Sequence, residues 1–166
     1  MNHLWDRKAT KPTVQTRSHA TESAPPSGRD DRVQELHGVM PAELTERGVP
    51  APVKGLADRM PIGVVLNVAG FERRPSPTVE STAFFVTAEA MVNAVKHAHA
   101  TELTVTLVRD AQQLRLDVRD DGIGGAGSGD GIRSMTDRVE ALGGRLRIES
   151  ALGAGTSVRA ELPCVS

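Results

Sequence analysis

The stretch TVESTAFFVTAEAMVNAVKHAHATELTVTLVRDAQQLRLDVRDDGIGG (Thr78–Gly125) carries most of the fold in one piece. Residues 78–99 follow Pro75 and Pro77 and contain neither proline nor glycine, which predicts a helix over about Thr78–His99. At roughly 100° per residue, Phe84, Ala88, Met91, Val92, Val95 and Ala98 fall on one apolar stripe, the expected core face. Glu102–Arg109 and Leu114–Asp120 then read as strands, the second alternating almost strictly. Upstream, Ile62–Val68 is a β-branched run of strand length, preceded by two short helical patterns broken at Pro41, Gly48 and Pro50. Downstream, DGIGGAGSGDG is too glycine-rich for regular structure. A helix follows over about Ile132–Leu142, stopped by Gly143 and Gly144. Strands over Arg145–Ser150 and Thr156–Leu162, joined by the turn ALGAG, close the chain. The order β, long α, β, β, glycine loop, α, β, β predicts an α+β fold with a mixed, mostly antiparallel sheet and helices on one face.

Composition narrows the function. With 20 Lys plus Arg against 21 Asp plus Glu, the formal net charge of −1 excludes the electrostatic footprint of a general nucleic-acid binder. Aromatic residues supply only 2% of the chain, too few for base-stacking platforms, so the core must come from Leu, Val, Ile, Ala and Met. No apolar run approaches the ~20 residues of a membrane span. Residues 1–32, rich in Thr, Ser, Pro and charge, read as a disordered leader, which leaves 33–166 for one domain. No signal-peptide core can be drawn in the leader, and the single Cys164 cannot form an internal disulfide; both point to the cytoplasm.

Four local features carry chemistry. On the long helix Glu89, Asn93, Lys96 and His97 share a polar stripe. A carboxylate and an amide oxygen suit Mg²⁺, and a lysine suits phosphate, although the same residues also suit a solvated face. Asp120 has the parity of Leu114, Leu116 and Val118, so it points to the core side if the strand runs that far. A carboxylate there needs donors, such as an exocyclic amine or an ordered water. The competing reading ends the strand at Val118 and makes Asp120–Gly122 a turn. GSGDGIRSM feeds a glycine loop into a helix N-terminus, which suits phosphate without being a Walker loop or a dinucleotide fingerprint. GAGTSV (Gly153–Val158) leads into the last strand. His97 and His99 diverge on a helix and the cysteine is remote, so no protein-only metal site is expected.

Together, from about Val33 to Pro163, these features resemble the ATP-binding catalytic domain of bacterial sensor histidine kinases of the nitrate-sensor-like branch, the Bergerat-type fold. EAMVNAVKHAHA looks like the family's N box, DDGIGG its first glycine box, GDGIRSMTDRVEALGG its second and GAGT its terminal Gly-Thr element. The resemblance implies ATP and Mg²⁺ as cofactors, with Asn93 as metal ligand and Lys96 and His97 at the phosphates. Glu89 would be the catalytic acidic residue. It further implies that Asp120 accepts the adenine amine and that Gly122 and Gly124 shape the pocket. Gly129, Gly131 and Ile132 would end the ATP lid, and Thr156 would sit at the adenine edge.

The sequence departs from the resemblance in two places. VQELHGVMPAEL aligns with the end of the family's dimerising hairpin, so the acceptor histidine is expected before Met1 or on a hairpin in trans; His37 lacks an acceptor's context. The lid is short, with only Ala126–Ser128 between the glycine boxes. The reading implied is a kinase module of a two-component system, with a histidine-containing hairpin or a response regulator as partner. The alternatives are a serine kinase of the anti-sigma-factor type and a non-catalytic nucleotide-binding interaction module.

Overall fold

Local chemistry at the element ends sets the frame. The computed structural model describes residues 41–164. The expected leader 1–32, the boundary at Val33 and His37 lie outside the described residues. The elements in order are α1 (Ala42–Arg47), α2 (Pro50–Arg59), β1 (Gly63–Ala69), α3 (Pro77–Lys96), β2 (Glu102–Arg109), β3 (Gln113–Asp120), α4 (Asp130–Ala141), β4 (Arg145–Glu149) and β5 (Thr156–Pro163). Ser76 caps α3, its Oγ accepting from the Val79 N–H at 3.4 Å. Pro77 takes the first helical position, where its missing N–H costs nothing. The helix ends at Lys96 rather than His99, because His97 and Ala98 N–H both turn back to the Asn93 carbonyl and His99 adopts φ +51. α4 starts two residues earlier than its periodicity suggests, taking Asp130 and Gly131 into its first turn.

The five strands are ordered β1-β2-β3-β5-β4. β1 runs parallel to β2, with α3 as the crossover between them, and the other three pairings are antiparallel. β3 stays paired through Asp120, which lies opposite Leu103 on one side and Thr156 on the other. That settles the choice between strand and turn: Asp120 ends a strand and keeps the parity of the core residues before it.

The core lies between one sheet face and the helices. Leu103, Val105 and Leu107 of β2, Leu114, Leu116 and Val118 of β3, and Val158, Ala160 and Leu162 of β5 are all buried there. α3 packs against them and also meets α2 and α4. This explains why its burial extends beyond the predicted stripe: Val79, Ala83, Val86, Ala90 and Ala94 are buried as well, whereas Val95 is only half-buried. The opposite sheet face is polar, with Asp117 bridging Arg119 at 2.7 Å and Arg159 at 3.3 Å.

One buried charge ties the first helix to this frame. Glu80, only 2% exposed, accepts from Arg74 Nη2 at 2.6 Å and Nε at 3.2 Å. The same guanidinium donates to the Leu44 and Thr45 carbonyls, so it neutralises a buried carboxylate and caps the last turn of α1 together. No described helix is long and apolar enough to cross a membrane. Leu116 sits at the centre of the core on a central strand, 2% exposed. Leu116→Ala is therefore expected to lower unfolding free energy by about 2–5 kcal/mol. In urea titrations this should appear as a lower midpoint at unchanged slope.

Candidate functional site

Where β3 ends, α3, α4, β5 and the glycine segment between β3 and α4 enclose a cavity of about 170 Å³. Glu89 and Asn93 from the last turns of α3, and His97 from its C-cap, each four residues from the next, line it. Val118, Met135, Ile148 and Val158 supply apolar lining. Asp120 and Thr156 contribute polar groups from adjacent strands, and Ala126, Gly127 and Gly129–Ile132 complete the wall. A hollow that sets an apolar wall beside convergent polar groups is the ordinary form of a small-molecule site.

Asp120 is the half-buried acid of the site. Its Oδ1 accepts from the Gly122 N–H at 2.8 Å and from the Thr156 N–H at 3.3 Å. Its Oδ2 receives no hydrogen bond from a described residue and remains an acceptor for a ligand. Loss of hydration pushes this carboxyl above the ordinary aspartate value, and the two N–H groups pull partly against that shift. Asp121, one residue on, does the opposite work. Its Oδ1 accepts from the Thr101 and Glu102 N–H groups at 2.8 and 3.0 Å, and its Oδ2 from the Thr101 hydroxyl at 2.6 Å. These donors pull its carboxyl down to about 2. It thereby staples the start of β2 to the end of β3.

The glycines of this segment are set by close backbone approach. A Cβ on Gly122 would collide with the carbonyl and Cβ of Ala98, and the Ile123 N–H donates to that same carbonyl at 2.9 Å. Gly124, at φ +66, lies against the Ala151 carbonyl, and Gly155, at φ +71, against that of Asp120. The Gly125 and Gly153 N–H groups close this junction onto the Ser150 and Ile123 carbonyls. Neither Gly122 nor Gly124 lines the cavity; they shape it from behind.

The N-terminus of α4 faces the cavity with Gly129, Asp130, Gly131 and Ile132. Gly129 caps it in an extended conformation without a side-chain hydrogen bond. The helix thus offers unpaired N–H groups and positive dipole to an anion. A Cβ at Gly131 would press on Glu89 Oε1, so glycine here lets the carboxylate lie close against the start of α4. Arg138, 3.9 Å above the Phe85 ring, binds α4 to the helix that carries Glu89. Partial loss of hydration lowers the His97 pKa from its ordinary value, and the charges of Lys96 and His99 add to it, which favours the neutral ring.

Of the residues singled out in the sequence, Glu89, Asn93, His97, Asp120, Gly129, Gly131, Ile132 and Thr156 meet around this cavity. Lys96, on the last turn of α3, is not among its lining residues. Among the described residues no three His, Cys, Asp or Glu side chains could hold a metal together. A divalent cation would find the Glu89 and Asn93 oxygens and would need a ligand's oxygens for the rest, the usual coordination of Mg²⁺. Sequence reasoning missed Asp121 and Ser150, which act through backbone groups far along the chain. It also missed the apolar lining residues, which look like any other core positions.

The chain has recognisable relatives. Residues 78–166 match the family model described as histidine kinase-, DNA gyrase B-, and HSP90-like ATPase. The chain belongs to this ATPase family. Over 139 residues it is 31% identical to the sensor histidine kinase MctS of Rhizobium johnstonii, a match covering 76% of this chain and 30% of the relative. It is 28% identical to the sensor histidine kinase ComP of Bacillus subtilis, covering 76% of this chain and 18% of that protein. The chain therefore spans less than a third of the length of these relatives. The histidine kinase domain of the Erythrobacter litoralis EL346 blue-light activated histidine kinase shares the fold, with TM-score 0.54, 23% identity and coverage of 80% and 69% of the two chains. A longer structure of that kinase gives TM-score 0.58 at 22% identity, covering 82% of this chain and 48% of the other.

A carboxylate pulled below its ordinary value stabilises the fold fully above about pH 4 and ceases to do so as pH falls through its folded value. For Asp121 that value is about 2. Thermal unfolding should thus show the wild type above Asp121→Ala near neutral pH. The gap is expected to close between about pH 4 and about pH 2.

Proposed function

We propose that this chain is the ATP-binding kinase module of a two-component system, presenting Mg-ATP to a histidine on a hairpin supplied in trans or by a longer form of the chain. The observation that carries the reading is the junction of a half-buried carboxylate with a spare oxygen, at Asp120, and a helix N-terminus, at Gly129–Ile132, around one cavity. Adenine needs the first for its exocyclic amine, and phosphates need the second. The sensor histidine kinases among the relatives favour histidine as the acceptor.

The residues divide the work as follows. Asp120 and Thr156 hold the base over the apolar lining from Val118, Ile148 and Val158. Asn93, with Glu89 beside it, would hold Mg²⁺, which when bound would neutralise charge on the phosphates. The α4 N-terminus receives the phosphate chain, and neutral His97 donates or accepts a hydrogen bond there without adding charge. Lys96, outside the cavity wall, reaches the phosphates only as a point charge at the rim. Glu89 orients the incoming imidazole, whose nitrogen bonds to the γ-phosphorus as the β–γ bridging P–O bond breaks and ADP leaves. Such transfer needs positioning and charge stabilisation more than covalent help from the protein.

Calorimetric titration of Mg-ATP should show binding by the wild type and a weakening of about 10- to 100-fold in Asp120→Ala, the roughly 1.5–3 kcal/mol of a charged hydrogen bond. Asn93→Ala should abolish the dependence of binding on Mg²⁺. With γ-labelled ATP and a candidate hairpin protein, the label should be acid-labile and should appear on histidine. Acid-stable label would move the reading to a serine kinase. Binding without transfer would move it to an interaction module.

A further inference from the structure

Ser150 follows β4 directly and faces Thr156 across the turn at 151–155. It does not line the cavity, but both of its partners do. Its Oγ accepts from the Ala126 N–H at 2.9 Å and lies 2.6 Å from Thr156 Oγ1, while its carbonyl accepts from the Gly125 N–H at 3.0 Å. One side chain behind the wall therefore holds the first cavity-lining residue of the glycine segment and the hydroxyl beside Asp120.

Counting protons gives this arrangement a direction. A serine oxygen has one proton to donate and two lone pairs. The Ala126 N–H occupies one lone pair. Among the described residues the Ser150 proton has one acceptor, Thr156 Oγ1. Either hydroxyl could donate across this contact, but leaving a part-buried donor unused costs free energy, which favours Ser150 as the donor and leaves the Thr156 proton for the cavity. The wall then presents the Asp120 carboxylate as acceptor next to the Thr156 hydroxyl as donor. Adenine offers the complement on its Watson–Crick edge, an amine at N6 and a lone pair at N1. Guanine offers the reverse, a carbonyl at O6 and a proton on N1.

We infer that Ser150 is a positioning residue that fixes the Thr156 hydroxyl as a donor, sets the preference for adenine over guanine, and pins the glycine segment to the same wall. The inference rests on the nucleotide reading above. It predicts that base recognition and order in the 125–129 segment fall together when the Ser150 hydroxyl is lost.

The test uses the full 166-residue chain. Mg-ATP and Mg-GTP affinities are measured for the wild type, Ser150→Ala, Ser150→Thr, Thr156→Val and the Ser150→Ala/Thr156→Val double variant, with amide exchange followed at 125–129. Ser150→Ala should weaken ATP about five- to tenfold, the range of one neutral hydrogen bond. It should also narrow the ATP-to-GTP ratio and speed exchange at Ala126. Ser150→Thr, which keeps the hydroxyl, should restore both. The double variant should discriminate no worse than Thr156→Val, because the two residues share one contact. If Ser150→Ala fails to fold, Ser150→Cys fills the same space with a weak hydrogen-bonding group and should show the same losses. An unchanged ATP-to-GTP ratio in Ser150→Ala or Ser150→Cys, or additive effects in the double variant, overturns this inference while wild-type ATP binding leaves the nucleotide reading standing. Absence of ATP binding by the wild type overturns both.

Discussion

No side chain fits at Gly122. The carbonyl and Cβ of Ala98 occupy the space where its Cβ would be, and the adjoining Ile123 N–H bonds to that carbonyl. This contact docks the end of β3 onto the end of α3. It brings Asp120, the last paired residue of β3, to the same cavity as Asn93 and His97. The neighbouring contacts all reinforce it. Asp121 ties the same corner to the start of β2, and Gly124 and Gly155 let the turn after β4 close against it. A corner of tightly apposed backbone holds the polar side chains of the cavity more firmly than a loop would, because each approach is backed by the sheet.

Asp120 and Asp121 show how environment divides two identical groups. Asp121 is exposed yet receives three donors, and its carboxyl falls to about 2. It is committed to structure. Asp120 is partly removed from water, receives two N–H groups on one oxygen, and its carboxyl rises. Adjacent in sequence, they meet different neighbours: Asp120, the last residue of β3, bonds to the Gly122 and Thr156 N–H groups, and Asp121, just past the strand, bonds to Thr101 and Glu102. The acid with spare acceptor capacity is the one beside the apolar lining, where a hydrogen bond to a ligand is shielded from water.

The family match begins at residue 78, so α1, α2 and β1 precede it. These elements are nonetheless part of the same packed unit. β1 pairs with β2 along its whole length, α2 covers α3, and Arg74 joins the carbonyls of α1 to the buried Glu80 at the start of α3. Glu80 lies on the helix that carries Glu89 and Asn93 to the cavity two to four turns later. A change in the position of α1 therefore bears on a helix that also forms the cavity wall.

The sequence by itself determined the element order and the helix-bearing side of the sheet, because alternation in the 114–118 stretch and the proline- and glycine-free run of 78–96 are local periodicities. It left Asp120 between strand and turn, and only the pairing of β3 with β2 and β5 decided its orientation. It also placed Glu89, Asn93 and His97 on one helical stripe, since 3.6 residues per turn fixes that spacing. The all-round burial of α3 was not legible, because alanines and threonines commit to neither water nor core until neighbouring elements cover them. Nor was the exclusion of Lys96 from the cavity wall, although it lies one residue from His97. The tertiary structure alone decided that Ser150 backs Thr156, that Asp121 clasps Thr101, and that Gly122 and Gly124 serve backbone contact rather than the cavity surface. Most of those contacts join residues about 20 or more positions apart, as Ala126 to Ser150 and Thr101 to Asp121 show, while Ser150 and Thr156 meet across the turn between β4 and β5. No local periodicity encodes such a distance; it exists only once β3, β5 and α3 have been packed together.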